Sequence, residues 1–545
     1  MYNTLIIKNR MCKMKTKKLI ISLLLLFLMG QEVMAAAFTV LPRPNHIEVK
    51  NGVICFEKEL LINFPKELTT EGEYLISWLK ENTPLNIRKI KKEKKADIVL
   101  RIQENNQIKT KEGYSLKVND GKIIITSHAS EGIFYGIQTL RQLAQSLDGA
   151  ITVPKVCIND EPRFAWRGLM LDEARNFKGK EVVKKLLDEM AALKLNVFHW
   201  HLTNDQGWRV EIKKYPRLTS VGSYRDSTEL YHFKSNVFDG KPHEGYYTQE
   251  DLREIVKYAA ERHINIVPEI TVPGHITAAC AAYPWLGTSG KQVKVSPRFG
   301  AHYNAINAAN PKVYQFLGDV FDELIDIFPF PIIHIGGDEV RYNQWNESTE
   351  IQNFMKEHNF KSGAELQVYF TNRLSEMLAS KGRKMIGWNE ITGDRLHEFQ
   401  AGDEKKGLTN KLAQGTVVQF WKGNPALMKK TIDDGYDIVN SYHIFTYLDY
   451  DYNTIPLKKA YSFNPIPAGI SPEQEKQVIG IGCQMWGEFI PSIEKMNKMI
   501  YPRIAAYAEI GWTDANNLNY DEFLQSLQPI LKRWKSEGIN YGPLQ

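Results

Sequence analysis

Cysteine is scarce here: five residues in 545, with no CxxC pair. Cys12 lies in the N-terminal segment, and Cys55, Cys157, Cys280 and Cys483 are far apart. The spacing predicts isolated buried thiols and excludes a disulfide framework or a cysteine zinc site. Low-complexity tracts are also missing, which argues against a disordered chain. The apolar run Leu19–Met29 is too short to span a bilayer comfortably. It follows Lys8, Arg10, Lys13, Lys15, Lys17 and Lys18 and precedes Val33-Met34-Ala35, so residues 1–35 read as a secretory signal cleaved before Ala36. No cysteine follows that run, which argues against a lipid anchor. The signal carries six basic residues and one acid, five of the chain's net charge of +6. The remainder is near neutral, so the basic composition implies no nucleic-acid partner. The expectation is an exported protein, periplasmic or extracellular, with no stable membrane span.

What is present is ample apolar content, 43%, enough for more than one domain. Residues 36–160 read as an α+β domain. Ala96–Ile102 and Gly113–Thr126 look like strands, the second a hairpin through Asn119-Asp120-Gly121. An amphipathic pattern over Glu131–Leu147 predicts a helix. Residues 161–515 then alternate strand and helix. Strands are expected at Gly168–Leu171, Asn196–Leu202, Asn265–Ile270, Phe330–Ile335, Lys384–Trp388, Thr416–Trp421, Tyr436–Asn440 and Val478–Met485. A helix opening at the cap Thr248, and others over Lys180–Leu193, Lys312–Ile327, Glu365–Ser380 and Asn497–Ile510, fall between or after them. This rhythm predicts α/β architecture, a (β/α)8 TIM barrel. A doubly wound sheet would want a Gly-rich phosphate turn after an early strand, and none is present. Residues 516–545 read as a helical tail packed on the barrel, with Pro529 placed to kink or split it.

In a barrel the C-terminal strand ends converge on one mouth. Here they carry Asp172, Glu173 and Arg175; His199, His201 and Asp205; Glu269 and His275; His334, Asp338 and Glu339; Trp388; Trp421; and Trp486 with Glu488. Tyr447 and Asp449 follow the seventh strand. Two chemistries suit this set. His199 and His201 share a strand face and, with His275, His334 and a carboxylate, could hold a divalent metal. Tryptophans mixed with carboxylates and arginine suit a sugar, whose C–H faces meet rings and whose hydroxyls meet charges. Asp338 and Glu339 are adjacent, with Cα atoms about 3.8 Å apart. Such a pair is poorly placed to flank a sugar from both faces, as two-carboxylate retaining glycosidases do. A 2-acetamido group on the substrate could supply the nucleophile.

HIGGDEV (334–340), HWHLTNDQGW (199–208), RGLMLDEARNF (167–177) and PEITVPGH (268–275) resemble the family 20 glycoside hydrolases, the β-N-acetylhexosaminidases. GWNE (387–390), QFWKG (419–423), YLDY (447–450) and MWGE (485–488) extend the resemblance over nearly the whole chain after the signal. It implies an exo-acting, retaining, substrate-assisted mechanism on terminal GlcNAc or GalNAc of oligosaccharides or glycoconjugates. By motif, Glu339 would be the acid and base, Asp338 would hold the acetamido N–H, and Tyr447 would donate to its oxygen. Trp388, Trp421 and Trp486 would wall the acetamido pocket. Arg175, Asp449 and Glu488 would hold hydroxyls, and Asp205 with His275 would orient the acid. Glu339 is expected to have a raised pKa. No metal or organic cofactor is implied. Lacto-N-biosidase or chitobiase specificity, or a carbohydrate-binding protein without catalysis, are the alternatives. Monomer and homodimer are both compatible with the sequence.

Overall fold

The computed structural model describes residues 39–104, 107–119, 121–147, 149–400 and 411–545. The secretory signal, its cleavage site, Cys12 and Asp120 of the predicted hairpin lie outside the described residues. The chain forms two compact units: residues up to Arg163 with Trp512–Lys532, and Phe164–Gly511 with Arg533–Gln545.

The first unit is built on an eight-stranded mixed sheet. Tyr114–Asn119 and Lys122–Ser127 form the expected antiparallel hairpin. The sheet also holds parallel pairs that the sequence reading did not anticipate. Glu59–Asn63, the helix Thr69–Asn82 and Asn86–Lys89 form a βαβ unit. The predicted helix Glu131–Leu147 is shorter, Ser130–Leu143, and buries Ile133, Ile137, Leu140 and Leu143. Its last residues instead form a strand, Gln145–Leu147, that pairs back onto Ala150–Asp160. Gly149, at φ 82°, permits that tight reversal, so the strand ladder takes the backbone groups a longer helix would use. Cys55 is exposed and Cys157 half-buried, while Cys280 and Cys483 are buried. The first two lie in strands of this sheet, in which successive side chains alternate between faces, so the expectation of buried thiols holds only for the second two. The tail begins here too: Trp512 Nε1–H donates to Asp160 at 2.9 Å, and the Asp514 N–H to Asn45 at 2.7 Å.

The second unit is a closed barrel of eight parallel strands. In chain order they are β1 (Trp166–Asp172), β2 (Val197–His201), β3 (Asn265–Glu269), β4 (Ile332–His334), β5 (Lys384–Trp388), β6 (Val417–Phe420), β7 (Asp437–Asn440) and β8 (Val478–Met485). Strand side chains alternate, so residues two apart share a face. Trp166, Val197, Val267, Ile332, Ile386, Val417 and Val439 pack into one buried layer. Two residues further along β2, β3, β4 and β5 stand His199, Glu269, His334 and Trp388. The interior therefore passes from apolar to polar toward the C-terminal strand ends, which positions the chemistry there. Gly480 has a packing reason: a Cβ would fall 1.8 Å from the Trp166 carbonyl oxygen on β1.

Surrounding helices open on local caps. Thr248 and Asp251 form a capping box at Gln249–Ala260, and Asn310 caps Pro311–Ile327. The stretch expected as one helix, Asn497–Ile510, is two, Ile493–Ile500 and Arg503–Trp512. Pro502 has no N–H to give and disfavours helical backbone at Tyr501, which is extended. Pro529, in contrast, sits inside an unbroken helix, Tyr520–Ser536. The tail beyond Lys532 belongs to the barrel unit, where Arg533 donates two 2.6 Å bonds to Glu189, and Trp534 Nε1–H a third of 2.5 Å. The tail is thus divided between the units, because Trp512–Lys532 finds its polar partners in the first. Among the described residues no helix is long and apolar enough to cross a membrane.

Candidate active site

β4 ends in Gly336 and Gly337, at φ 71° and 93°. A Cβ on Gly336 would lie 2.6 Å from Thr271, and one on Gly337 2.5 Å from Ile391. The two glycines let the chain turn against its neighbours and deliver Asp338 and Glu339 to the mouth. Glu339 itself is at φ 51°, and His275, after β3, at φ 53°. A non-glycine residue in that region carries backbone strain, and such residues cluster at functional sites.

Asp205, His275 and Glu339 form a line. Buried Asp205 accepts from His275 Nδ1 at 2.9 Å, from the Thr277 N–H at 2.9 Å and from the Thr277 hydroxyl at 2.5 Å. His275 Nε2 lies 3.4 Å from Glu339 Oε2 and 3.7 Å from Asp338 Oδ2. Burial works against an imidazolium here, but Asp205, Glu339 and Asp338 outweigh it and hold His275 well above its ordinary pKa. Burial pushes Asp338 up to about 7, reinforced by Glu269, Glu390 and Glu339. Glu339 moves the other way, to about 2: burial is overcome by the His275 imidazolium 3.4 Å away, with His397 and Arg175 adding to it. This corrects the expectation of a raised Glu339. Of the two adjacent acids Asp338 favours the proton, because at Asp338 burial and three neighbouring carboxylates outweigh the imidazolium, whereas at Glu339 the imidazolium outweighs burial.

Behind this pair an aromatic cage closes. Trp388, Trp421, Trp486, Tyr447 and Met170 form one buried cluster. Tyr447 lies parallel to Trp421 with centroids 6.0 Å apart, and Trp388 is 5.7 Å from Trp486. Trp421 Nε1–H donates to Glu390 at 2.9 Å and Trp388 Nε1–H to Glu269 at 3.1 Å, fixing both rings. At the remaining side, Arg175 holds Asp172 at 2.9 Å, approaches Glu488 at 3.4 Å and lies over Trp486 at 5.0 Å. Burial and the Glu488 charge push Asp449 up to about 8. Asp338 Oδ1, Asp449 Oδ1 and Trp486 Nε1 are buried with no hydrogen-bond partner among the described residues. Orphaned polar atoms beside rings are what a hydroxylated, amide-bearing ligand would satisfy.

His199, His201, His334 and Glu269 converge, but below the cage. Glu269 accepts from His199 at 2.8 Å and His201 at 2.6 Å, besides Trp388. His334 Nδ1 accepts the Gly336 N–H at 2.9 Å, so its lone pair is spent. His199, Glu269 and His334 are near enough to share an ion. His199 Nε2, His334 Nδ1 and the Glu269 oxygens are engaged with one another, with Trp388 and with the Gly336 N–H, while His199 Nδ1 and His334 Nε2 have no hydrogen-bond partner among the described residues; through Glu269 the set supports Trp388. Glu173 turns away as well, accepting from the Lys178 and Gly179 N–H groups and from the Tyr247 hydroxyl.

Sequence reasoning missed two contributors. Glu390 accepts the Glu339 N–H at 3.4 Å as well as Trp421, and its GWNE motif was a usable signal. His397, 3.8 Å from Glu339 Oε1 and 3.4 Å from Glu390 Oε1, comes from irregular chain and had none.

Comparison with known proteins accords with this site. The profile of Glycosyl hydrolase family 20, catalytic domain, matches residues 164–515, and that of family 20, domain 2, matches residues 37–161. A β-hexosaminidase of Porphyromonas gingivalis is 36% identical over 79% of the chain, which spans about half, 54%, of that relative. One of Vibrio furnissii is 35% identical over 88% of the chain and 77% of its own length. The solved structure of a Vibrio harveyi family 20 exo-β-N-acetylglucosaminidase in complex with N-acetylglucosamine superposes with a TM-score of 0.79 at 31% identity, covering 93% of this chain and 78% of that one. The chain belongs to glycosyl hydrolase family 20, the glycoside hydrolases that include the β-hexosaminidases.

Proposed function

We propose that the protein is an exo-acting, retaining β-N-acetylhexosaminidase that releases terminal β-linked GlcNAc or GalNAc, with the substrate's 2-acetamido group as nucleophile. The observation that carries this reading is the adjacency of Asp338 and Glu339 at one strand end, beside a cage of three tryptophans and Tyr447. Neighbouring carboxylates cannot stand about 5–5.5 Å apart on opposite faces of the anomeric carbon, as the two-carboxylate retaining scheme needs. They suit a division of labour in which the nucleophile comes with the sugar.

In this scheme the acetamido oxygen attacks the anomeric carbon while the glycosidic C–O bond breaks. Glu339 gives its proton to the departing oxygen. Asp338, as carboxylate, accepts the acetamido N–H and stabilises the oxazolinium cation, and Tyr447 donates to the acetamido oxygen. Water then attacks the same carbon, its proton returns to Glu339, and the ring opens with the β configuration retained. Trp388, Trp421 and Trp486 hold the acetamido methyl and sugar face. Arg175, Asp449 and Glu488 take hydroxyls at the closed end, which supports action on terminal residues. Asp205 fixes His275, which orients Glu339. In the free enzyme the proton rests on Asp338, so the scheme needs a shift: binding the acetamido N–H favours ionised Asp338 and passes the proton to Glu339. The ligand named for the Vibrio harveyi structure supports the choice of sugar. We further propose export to the periplasm or medium after cleavage before Ala36.

Glu339→Gln should lower kcat on an N-acetyl-β-glucosaminide with a poor leaving group by about 10²–10⁴-fold, the usual worth of a general acid. A wild-type enzyme that cleaves the matching glucoside, without the acetamido group, equally well would overturn the assisted mechanism.

A further inference from the structure

Outside Glu339 stands a stack of side chains that the mechanism leaves unused. His397 lies nearly flat on Phe399, centroids 4.8 Å apart at 15°. The Arg341 guanidinium carbon is 4.2 Å from the Phe399 ring centre and 4.9 Å from that of Tyr303. The stack leads from the acid to solvent. The His397 side chain is 6% exposed beside Glu339, itself 27%, whereas Tyr303 at the far end is 58% exposed. Arg341 Nε–H donates to the Ala301 carbonyl at 3.1 Å, which ties the loop after β4 to the long loop before Pro311. Its two Nη groups have no hydrogen-bond or ion-pair partner among the described residues.

A guanidinium held between rings and pinned through Nε keeps its Nη hydrogens for a planar anion. Because its shape is fixed in advance, little side-chain freedom is lost on binding. From His397, 3.8 Å from Glu339 Oε1, the steps to Phe399 and on to Arg341, 4.8 and 4.2 Å, run toward the exposed Tyr303. We infer that this stack is the leaving-group subsite, and that it selects substrates in which the N-acetylhexosamine is β-linked to an acidic sugar, a hexuronate whose carboxylate meets Arg341. Tyr303 supplies apolar surface to the C–H face of the same ring. The inference rests on Glu339 as the general acid, because only then is this side the leaving-group side.

The test compares three substrates at pH 6, where a uronate is ionised: GlcNAc β-linked to glucuronic acid, GlcNAc β-linked to glucose, and 4-nitrophenyl N-acetyl-β-glucosaminide. Wild type should favour the acidic disaccharide over the neutral one by about tenfold or more in kcat/KM, the scale of a hydrogen bond to a charged group. Arg341→Gln should bring that ratio close to one. Arg341→Lys should keep part of it, having the charge without the fork. A wild-type ratio near one, or a ratio unchanged in Arg341→Gln, overturns the subsite. If Arg341→Gln does not fold, the wild-type ratio and Arg341→Lys decide. Failure to cleave any of the three, the nitrophenyl glycoside included, instead overturns the N-acetylhexosaminidase reading and this inference with it.

Discussion

At the scale of single residues, the site is a matter of where two protons rest. His275, Asp338 and Glu339 hold two below the Asp338 titration at about 7, one on the imidazole and one on Asp338. In the free enzyme Glu339, lowered to about 2, is the carboxylate of the pair. The reactive arrangement, with protonated Glu339 and ionised Asp338, has the same proton count. Raising the pH through about 7 therefore removes a proton the reaction needs. In a pH profile, kcat/KM should fall about tenfold per unit above pH 7, and Asp338→Asn should lose that limb along with most of its activity. A flat profile from pH 6 to 9 would contradict the assignment. The acids and the tryptophans were legible because each sits in a run of unusual residues at a strand end, and Tyr447 through the YLDY motif that follows β7. Their protonation was not, since it depends on a 3.4 Å approach between residues 64 apart in the chain.

At the scale of elements, the end of β4 sets the geometry. Gly336 and Gly382 share nearly the same φ, 71° and 72°, yet a Cβ at Gly336 meets Thr271 at 2.6 Å while one at Gly382 meets nothing within 4 Å. Both alanine variants should lose about 1 kcal/mol from the backbone term. Gly336→Ala should lose a further 1–3 kcal/mol or so and most of kcat, because relieving the clash moves Asp338 and Glu339. Thermal unfolding and nitrophenyl glycoside kinetics check this; equal losses in the two variants would remove the special role of the turn. Strand positions read well from the sequence, since apolar runs recur between helices and each ends in polar residues. Helix ends read less well. Pro502 breaks a helix and Pro529 does not, and no local rule separates them.

At the scale of the molecule, the C-terminal tail is divided, Trp512–Lys532 belonging to the first unit and Arg533–Gln545 to the barrel unit. Glu189 is buried on the barrel and takes its bonds from Arg533 and Trp534. Truncation after Lys532 would leave a buried carboxylate without its partners. The barrel should lose about 3 kcal/mol, seen as a lower urea midpoint, in line with breaking a buried ion pair from one side. An unchanged midpoint would show that the tail is dispensable. Export is checked on the same scale by N-terminal sequencing of the secreted protein, which should begin at Ala36.

Sequence alone determined the barrel, the small domain before it and the carboxylate pair. Period-two and period-3.6 patterns, glycine turns and adjacent motifs are local, and local sterics and burial are enough to express them. Only the tertiary structure decided which acid carries the proton, that His199, His201 and His334 serve Glu269 beneath Trp388, and that His397 and Arg341 stand outside Glu339. Those outcomes depend on charges and rings brought within 3–6 Å by strands far apart in the chain. Coulomb interaction and desolvation act through space, so no pattern along the chain records them.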